Sequence, residues 1–215
     1  MAEELKKGDP TALGIFAYGF GLMILSIYAV GGFSWGEHLA MAAPALAFSG
    51  LFLLIASIWE YNNGNTFGAT AFGTYSAFFL TFGFMTIFLW MFPSSVTDAM
   101  HAHLVGMMAL AFVFMTFFYW IASFKMTVAH NLMLFFLLLV FIMWAIPLLS
   151  FNGTTGNTIF GTSLASSVVY AGYLGLIDVI FTSWLAAAVI INDRWKVAGF
   201  KAPIPLFPIG QKKNA

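Results

Sequence analysis

Cysteine is absent from this 215-residue chain, which excludes disulfide frameworks, thiolate catalysis and cysteine-ligated iron–sulfur clusters together. Charge is nearly absent too: 7% of residues are charged, where soluble domains carry about 25%. Eight basic residues balance eight acidic ones, and the basic residues do not alternate with aromatics as a nucleic-acid surface requires, so no nucleic-acid partner is expected. No nucleophile motif, phosphate-binding loop or dinucleotide fingerprint occurs, so the chain does not read as an enzyme and no cofactor is expected.

What fills the chain instead is apolar: 61% hydrophobic residues, with a mean hydropathy of +0.93. Such a chain has too little polar surface for water. In hydrocarbon each backbone N–H and C=O must be paired within its own segment or within a closed barrel. The apolar runs are continuous rather than alternating, so they predict helices.

Runs of about 20 residues, the length needed to span a bilayer, lie near 11–31, 38–59, 66–92, 100–122, 130–150 and 166–191. Turn-forming residues separate them: Gly31-Gly32, Asn62-Asn63-Gly64-Asn65, Pro93-Ser94-Ser95 and the stretch from Asn152 to Asn157. The reading is an all-α membrane protein, a six-transmembrane-helix bundle. Residues 1–10 form an N-terminal tail, 11–191 the membrane domain and 192–215 a C-terminal tail. The polar start from Met1 to Pro10 is followed by no small-residue cleavage pattern, so no removable signal peptide is expected.

Basic residues are retained on the cytoplasmic side of a membrane. Lys6 and Lys7 precede the first span, Lys125 lies between the fourth and fifth, and Arg194, Lys196, Lys201, Lys212 and Lys213 follow the sixth. With six spans all eight fall on one side. This predicts a multi-pass protein of the plasma (cell inner) membrane, lipid-embedded, with both termini cytoplasmic.

On the third span, Thr66, Thr70, Gly73, Thr74, Ala77 and Thr81 share one face at helical spacing. Such a stripe either lets helices approach closely or lines a hydrated path. Tyr75 lies on the opposite face with Gly68, Phe72, Phe79 and Phe82, and taken by itself reads as a packing or lipid-facing aromatic. Asp178 is unusual, because an ionised carboxylate at mid-span costs about 2.5–3.5 kcal/mol. Ala171, Gly175, Asp178 and Thr182 share a face, so the acid should point into the bundle, as a buried hydrogen-bonded group or a proton site.

Helix ends supply the remaining candidates. Glu60 precedes the turn before the third span, where Asn65 or Thr66 can cap the helix, and Asp9-Pro10 offers a cap and a first-turn proline at the first span. Both termini present free N–H groups to an anion. His101 and His103 diverge on a helix, and His38 and His130 stand alone at helix ends, so they read as interfacial residues and no metal site is expected.

The run Glu60-Tyr61-Asn62-Asn63-Gly64-Asn65-Thr66-Phe67-Gly68-Ala69-Thr70-Ala71-Phe72-Gly73-Thr74-Tyr75 closely resembles the signature of the acetate uptake transporter (succinate-acetate permease) family. Asp9-Pro10-Thr11-Ala12-Leu13-Gly14 is similar to that family's opening motif, with Asp9 in place of its Asn, and Pro208-Ile209-Gly210 adds a third match. The resemblance implies a six-helix protomer in a homohexamer, with a path in each protomer for acetate, in some members succinate, and flux linked to protons. It aligns the family's Phe-Tyr-Leu constriction with Tyr18, Tyr75 and Leu137, so Tyr18 replaces a phenylalanine, and it leaves the threonine stripe for contacts between helices or protomers.

The expectation is therefore a membrane channel or proton-linked transporter for acetate and related small carboxylates. Tyr18, Tyr75 and Leu137 form the constriction, Asn65, Thr66 and Thr182 contact the substrate, Asp178 is a candidate proton site, and Asp9 and Glu60 mark the helix-terminus entrance. The alternative is a membrane-embedded acetate sensor or scaffold without net transport, which the lack of a soluble signalling domain disfavours.

Overall fold

The computed structural model describes residues 8–31, 38–92, 98–151, 158–159 and 162–209. Lys6, Lys7, Gly32, Pro93-Ser94-Ser95, the stretch from Asn152 to Asn157, Gly210, Lys212 and Lys213 lie outside the described residues, as does the side chain of His38.

Helix α1 (Thr11–Ala29) is followed by α2 (His38–Ala43), a π-helical segment (Pro44–Gly50) and α3 (Leu51–Asn62). Then come α4 (Thr66–Met91), α5 (Asp98–Ser123), α6 (Val128–Leu149) and α7 (Leu164–Val197). A short antiparallel hairpin, β1 (Thr158–Ile159) and β2 (Thr162–Ser163), precedes α7. Six helical stretches among the described residues are long and apolar enough to cross a membrane: Thr11–Ala29, Met41–Asn62, Thr66–Met91, Met100–Ser123, Val128–Leu149 and Ser166–Val197.

The spans match the expected six, with differences at three places. The second is not one uniform helix but an α–π–α composite. Pro44 lacks an N–H and stands at the first position of the π turn, and the Gly50 carbonyl accepts from the Ser76 hydroxyl of α4 at 2.7 Å. The sixth continues past 191 to Val197. Beyond it the chain folds back: Asn192 exchanges two hydrogen bonds with the backbone of Ile204, and the N–H groups of Val128 and Ile209 donate to the carbonyls of Phe207 and Met126. The segment after residue 197 is thus tied to the start of α6.

Packed pairs close a ring. α1 lies against α7, α7 against α6, α6 against α5, α3 against α4 and α1, and α4 against α5. Small residues set the tightest seam: a Cβ on Gly19 would sit 2.6 Å from the Thr182 methyl, and one on Gly172 2.8 Å from Val30, so α1 and α7 approach at a spacing only glycine admits. Ala171, Gly175, Asp178 and Thr182 are all buried on α7, the last two near α1. Large apolar side chains such as Phe84, Trp90, Phe114 and Phe118 face outward, as a lipid-embedded surface requires.

Candidate functional site

Two cavities lie in series inside the ring, and Tyr18 and Tyr75 line both. The first opens at the end where α1, α4 and α6 begin and α3 finishes. It has a volume of about 50 Å³ and is edged by Thr11, Glu60, Asn65 and His130 above an apolar floor. A void of about 10–15 Å³ already holds a water. The second, about 20 Å³, is walled by Leu22, Leu25, Phe78, Phe79, Leu137, Val140, Phe141 and Trp144.

The divider is built from α1 and α4. The rings of Tyr18 and Tyr75 have centroids 5.6 Å apart. Tyr75 is held from α5, by stacking on Phe112, by an edge contact with Tyr119 and by a 3.0 Å hydrogen bond to the Thr116 hydroxyl. Its companions Phe72, Phe79 and Phe82 are buried. The aromatic face of α4 therefore looks into the ring. The threonine face looks out: Thr66, Thr70, Ala77 and Thr81 are exposed, and Thr70 and Thr74 spend their hydroxyls on carbonyls of their own helix. Patterning alone assigned Tyr75 to packing or lipid; the fold puts it at the divider.

Tyr18 is anchored from behind. Its hydroxyl donates to Asp178 Oδ2 at 2.6 Å, and Thr182 Oγ1 donates to the other oxygen, Oδ1, at 2.9 Å. Asp178 is fully buried. Helices α1 to α6 contain no Lys or Arg, and those of α7 lie in its last turn, so two hydroxyls are what holds the carboxylate. Asp178 and Thr182 line neither cavity. Thr182 was expected to touch substrate; its hydroxyl donates to Asp178, behind Tyr18.

At the mouth, Glu60 is only 2% exposed. It accepts from the Thr11 hydroxyl at 2.6 Å and from Asn65 Nδ2 at 2.8 Å. Asn65 Oδ1 meanwhile caps α4 through the Gly68 N–H at 3.1 Å. The signature turn thus ties the ends of α1, α3 and α4 into one polar node. Thr66, the other expected substrate contact, is exposed and lines neither cavity, because the helix it starts turns it outward. Asp9 is exposed and uses a carboxylate oxygen as a cap, accepting the Thr11 N–H at 2.9 Å.

Sequence reasoning missed four groups. His130 lines the first cavity, its Nδ1 held 2.8 Å from the Thr127 hydroxyl; its position at a helix start had suggested only an interface. Thr11 entered only within the run similar to the family's opening motif, yet it holds Glu60. Thr116, a lone hydroxyl among Phe and Met on α5, was the available signal for a partner to Tyr75. The indole N–H of Trp144, beside the second cavity, is buried and without a partner. No group of three His, Asp or Glu that could hold a metal ion occurs among the described residues.

The sequence profile of the GPR1/FUN34/yaaH family matches residues 1–197. The succinate-acetate/proton symporter SatP of Escherichia coli (strain K12) is 29% identical over 88% of this chain and 92% of its own length. Acetate permease A of Emericella nidulans is 26% identical over 96% of this chain and 68% of its own. The solved structure of the bacterial acetate channel SatP superposes with a TM-score of 0.76 at 26% identity, covering 94% of this chain and 99% of that one. These relatives are transporters and a channel, not enzymes. Interior cavities between helices, an aromatic divider and a profile match over nearly the whole length agree: this chain belongs to the GPR1/FUN34/yaaH family.

Proposed function

We propose that this protein moves acetate, and more slowly the larger succinate, across the plasma membrane through the interior of each protomer, as a channel or a proton-linked transporter. The supporting observation is the pair of cavities in series with Tyr18 and Tyr75 between them and Leu137 on the far side. The relatives named for acetate and succinate favour the same substrates.

Each part has a physical task. The node of Thr11, Glu60 and Asn65 frames the mouth, with Asp9 capping α1 beside it. Tyr18, Tyr75 and Leu137 form the constriction that strips water from the substrate. Asn65 reaches it through its second amide hydrogen, since the first is held by Glu60 and the oxygen by Gly68. With no Lys or Arg along the path, a bare anion meets no fixed positive side chain. A carboxylic acid with a pKa near that of Glu, about 4.3, is neutral in roughly one molecule in 500 at pH 7, but that form avoids most of the desolvation cost. Passage with a proton is therefore favoured, and Asp178 is the mid-span group able to carry one.

The outward threonine stripe of α4, with a small exposed residue at Ala77, suits close approach of a second protomer and supports a homohexamer. The distribution of Lys and Arg supports cytoplasmic termini. Purified protein in liposomes, given labelled acetate with and without a pH gradient, tests the reading. Acetate should enter only protein-containing vesicles, and accumulation against its gradient would mark proton linkage. An absence of flux from well-folded protein would refute transport and favour a sensor.

A further inference from the structure

Tyr18 belongs to two structures at once: its ring stands at the divider between the cavities, and its hydroxyl is bonded to a fully buried acid. The bonding pattern has a consequence for what the divider offers a substrate. An ionised carboxylate only accepts hydrogen bonds. With Asp178 ionised, both hydroxyl protons, from Tyr18 and Thr182, are committed to its two oxygens. The Tyr18 oxygen then has lone pairs and no proton left for the path. It can accept the O–H of a carboxylic acid, but it cannot donate to a carboxylate.

Protonation of Asp178 reverses this. The acid now carries one O–H to give. Thr182 continues to donate to Oδ1, so the new proton on Oδ2 goes to the Tyr18 oxygen. The Tyr18 proton is released from Asp178 and can turn toward the path, where it donates to a carboxylate.

We infer that Asp178 and Tyr18 form a donor–acceptor relay that makes the constriction accept neutral carboxylic acid in one state and carboxylate anion in the other, so that proton and substrate cross together. The inference rests on the transport reading above and specifies how the proton is linked. The proton balance closes. A neutral acid bonded to Tyr18 passes its proton to the tyrosine oxygen as Tyr18 passes its own to Asp178, leaving a carboxylate beside a neutral acid. The reverse transfer restores the neutral acid on the far side. No other reactant is needed.

Other charged or titratable groups do not compete for Asp178. From α1 it meets Tyr18, and Tyr75 of α4 stands behind that ring. The one titratable residue of α6, His130, lines the mouth cavity and is bonded to Thr127. An ionised Asp178 also acts by charge. At about 5 Å and an effective dielectric of about 20, one unit charge lowers anion occupancy by roughly two orders of magnitude.

The test measures acetate and proton entry together in liposomes, over acid to neutral pH, for the wild type, D178N and Y18F. Asn at 178 mimics the protonated acid, since its amide donates to Tyr18. D178N should therefore carry acetate anion without an accompanying proton, driven by membrane potential, with a flattened pH profile. Y18F keeps the ring and the acid but cuts the link, and should lose proton-linked uptake by at least about tenfold per folded protein, with folding read by thermal unfolding because the buried acid keeps only its bond to Thr182. If D178N folds poorly, Y18F carries the test, since it leaves Asp178 and its bond to Thr182 in place. A D178N or Y18F protein that still moves a proton with each acetate overturns the relay and leaves the transport reading standing. Wild-type protein that moves no acetate overturns both.

Discussion

The two cavities are made of different material. The first is edged by Thr11, Glu60, Asn65 and His130, while the second is lined by leucines, phenylalanines, Val140 and Trp144. The difference follows from helix geometry before any substrate is considered. Helix ends leave N–H and C=O groups unpaired and attract capping residues, so a mouth where α1, α4 and α6 begin is polar by construction. Mid-span, each polar group is costly and dryness is the default. What needs a functional explanation is therefore not the polar mouth but the exception at mid-span, Asp178, and it sits behind Tyr18, one of the two tyrosines that both cavities share.

The largest expected effect comes from removing the dry wall. Leu137→Ala deletes a buried side chain and should cost about 2–5 kcal/mol of stability, visible as a lower midpoint in thermal unfolding. If the second cavity sets the size limit, the acetate-to-succinate uptake ratio should also fall, by about tenfold, the scale on which apolar pockets resolve small size differences. A stable L137A protein with an unchanged ratio would place the limit at the mouth and erase the distinction between the cavities.

A smaller effect is expected at the mouth. Asn65→Ala removes the α4 cap, worth about 1 kcal/mol, and strips Glu60 of a donor, which adds about 1–3 kcal/mol for a buried acceptor left short. Thermal unfolding should report the sum, and acetate uptake should need severalfold more substrate. Restoration by Asn65→Asp would show that capping alone matters, because Asp caps as well as Asn but faces Glu60 with a second carboxylate. Failure of that rescue would show that the tie to Glu60 is the important half.

How far the sequence reached divides along the same line. The spans, the turn from Asn62 to Asn65 and the inward face of α7 were legible because long apolar runs, capping residues and a lone mid-span acid are strong local signals. The inward face of α4 was not. In a membrane, both the lipid side and the interior are apolar, so the rule that polar means outside fails, and Tyr75 and the threonine stripe could each have faced either way. The resemblance to a family supplied that choice, and the fold places Tyr75 inward. The π segment at Pro44–Gly50, the outward turn of Thr66, the commitment of Thr182 to Asp178 and the arrival of His130 at the mouth all depend on which helices become neighbours. No local pattern carries that information.

The smallest change sharpens the comparison at the divider itself. Tyr75→Phe keeps the ring that contacts Tyr18, Phe112 and Tyr119 and removes only the bond to Thr116. The Thr116 hydroxyl is buried, but a helical threonine can turn to a carbonyl of its own helix, as Thr70 does. The cost should therefore stay near 1 kcal/mol, with acetate uptake within a few-fold of wild type and the acetate-to-succinate ratio unchanged. Set beside Y18F, this separates two meanings of an aromatic constriction. If Y75F is silent and Y18F is not, Tyr75 serves as a wall and Tyr18 as a donor, because the partner of one is a neutral hydroxyl and of the other an acid. Equal losses in both would mean that the divider is polar on both sides, and that dehydration of the substrate begins only beyond it.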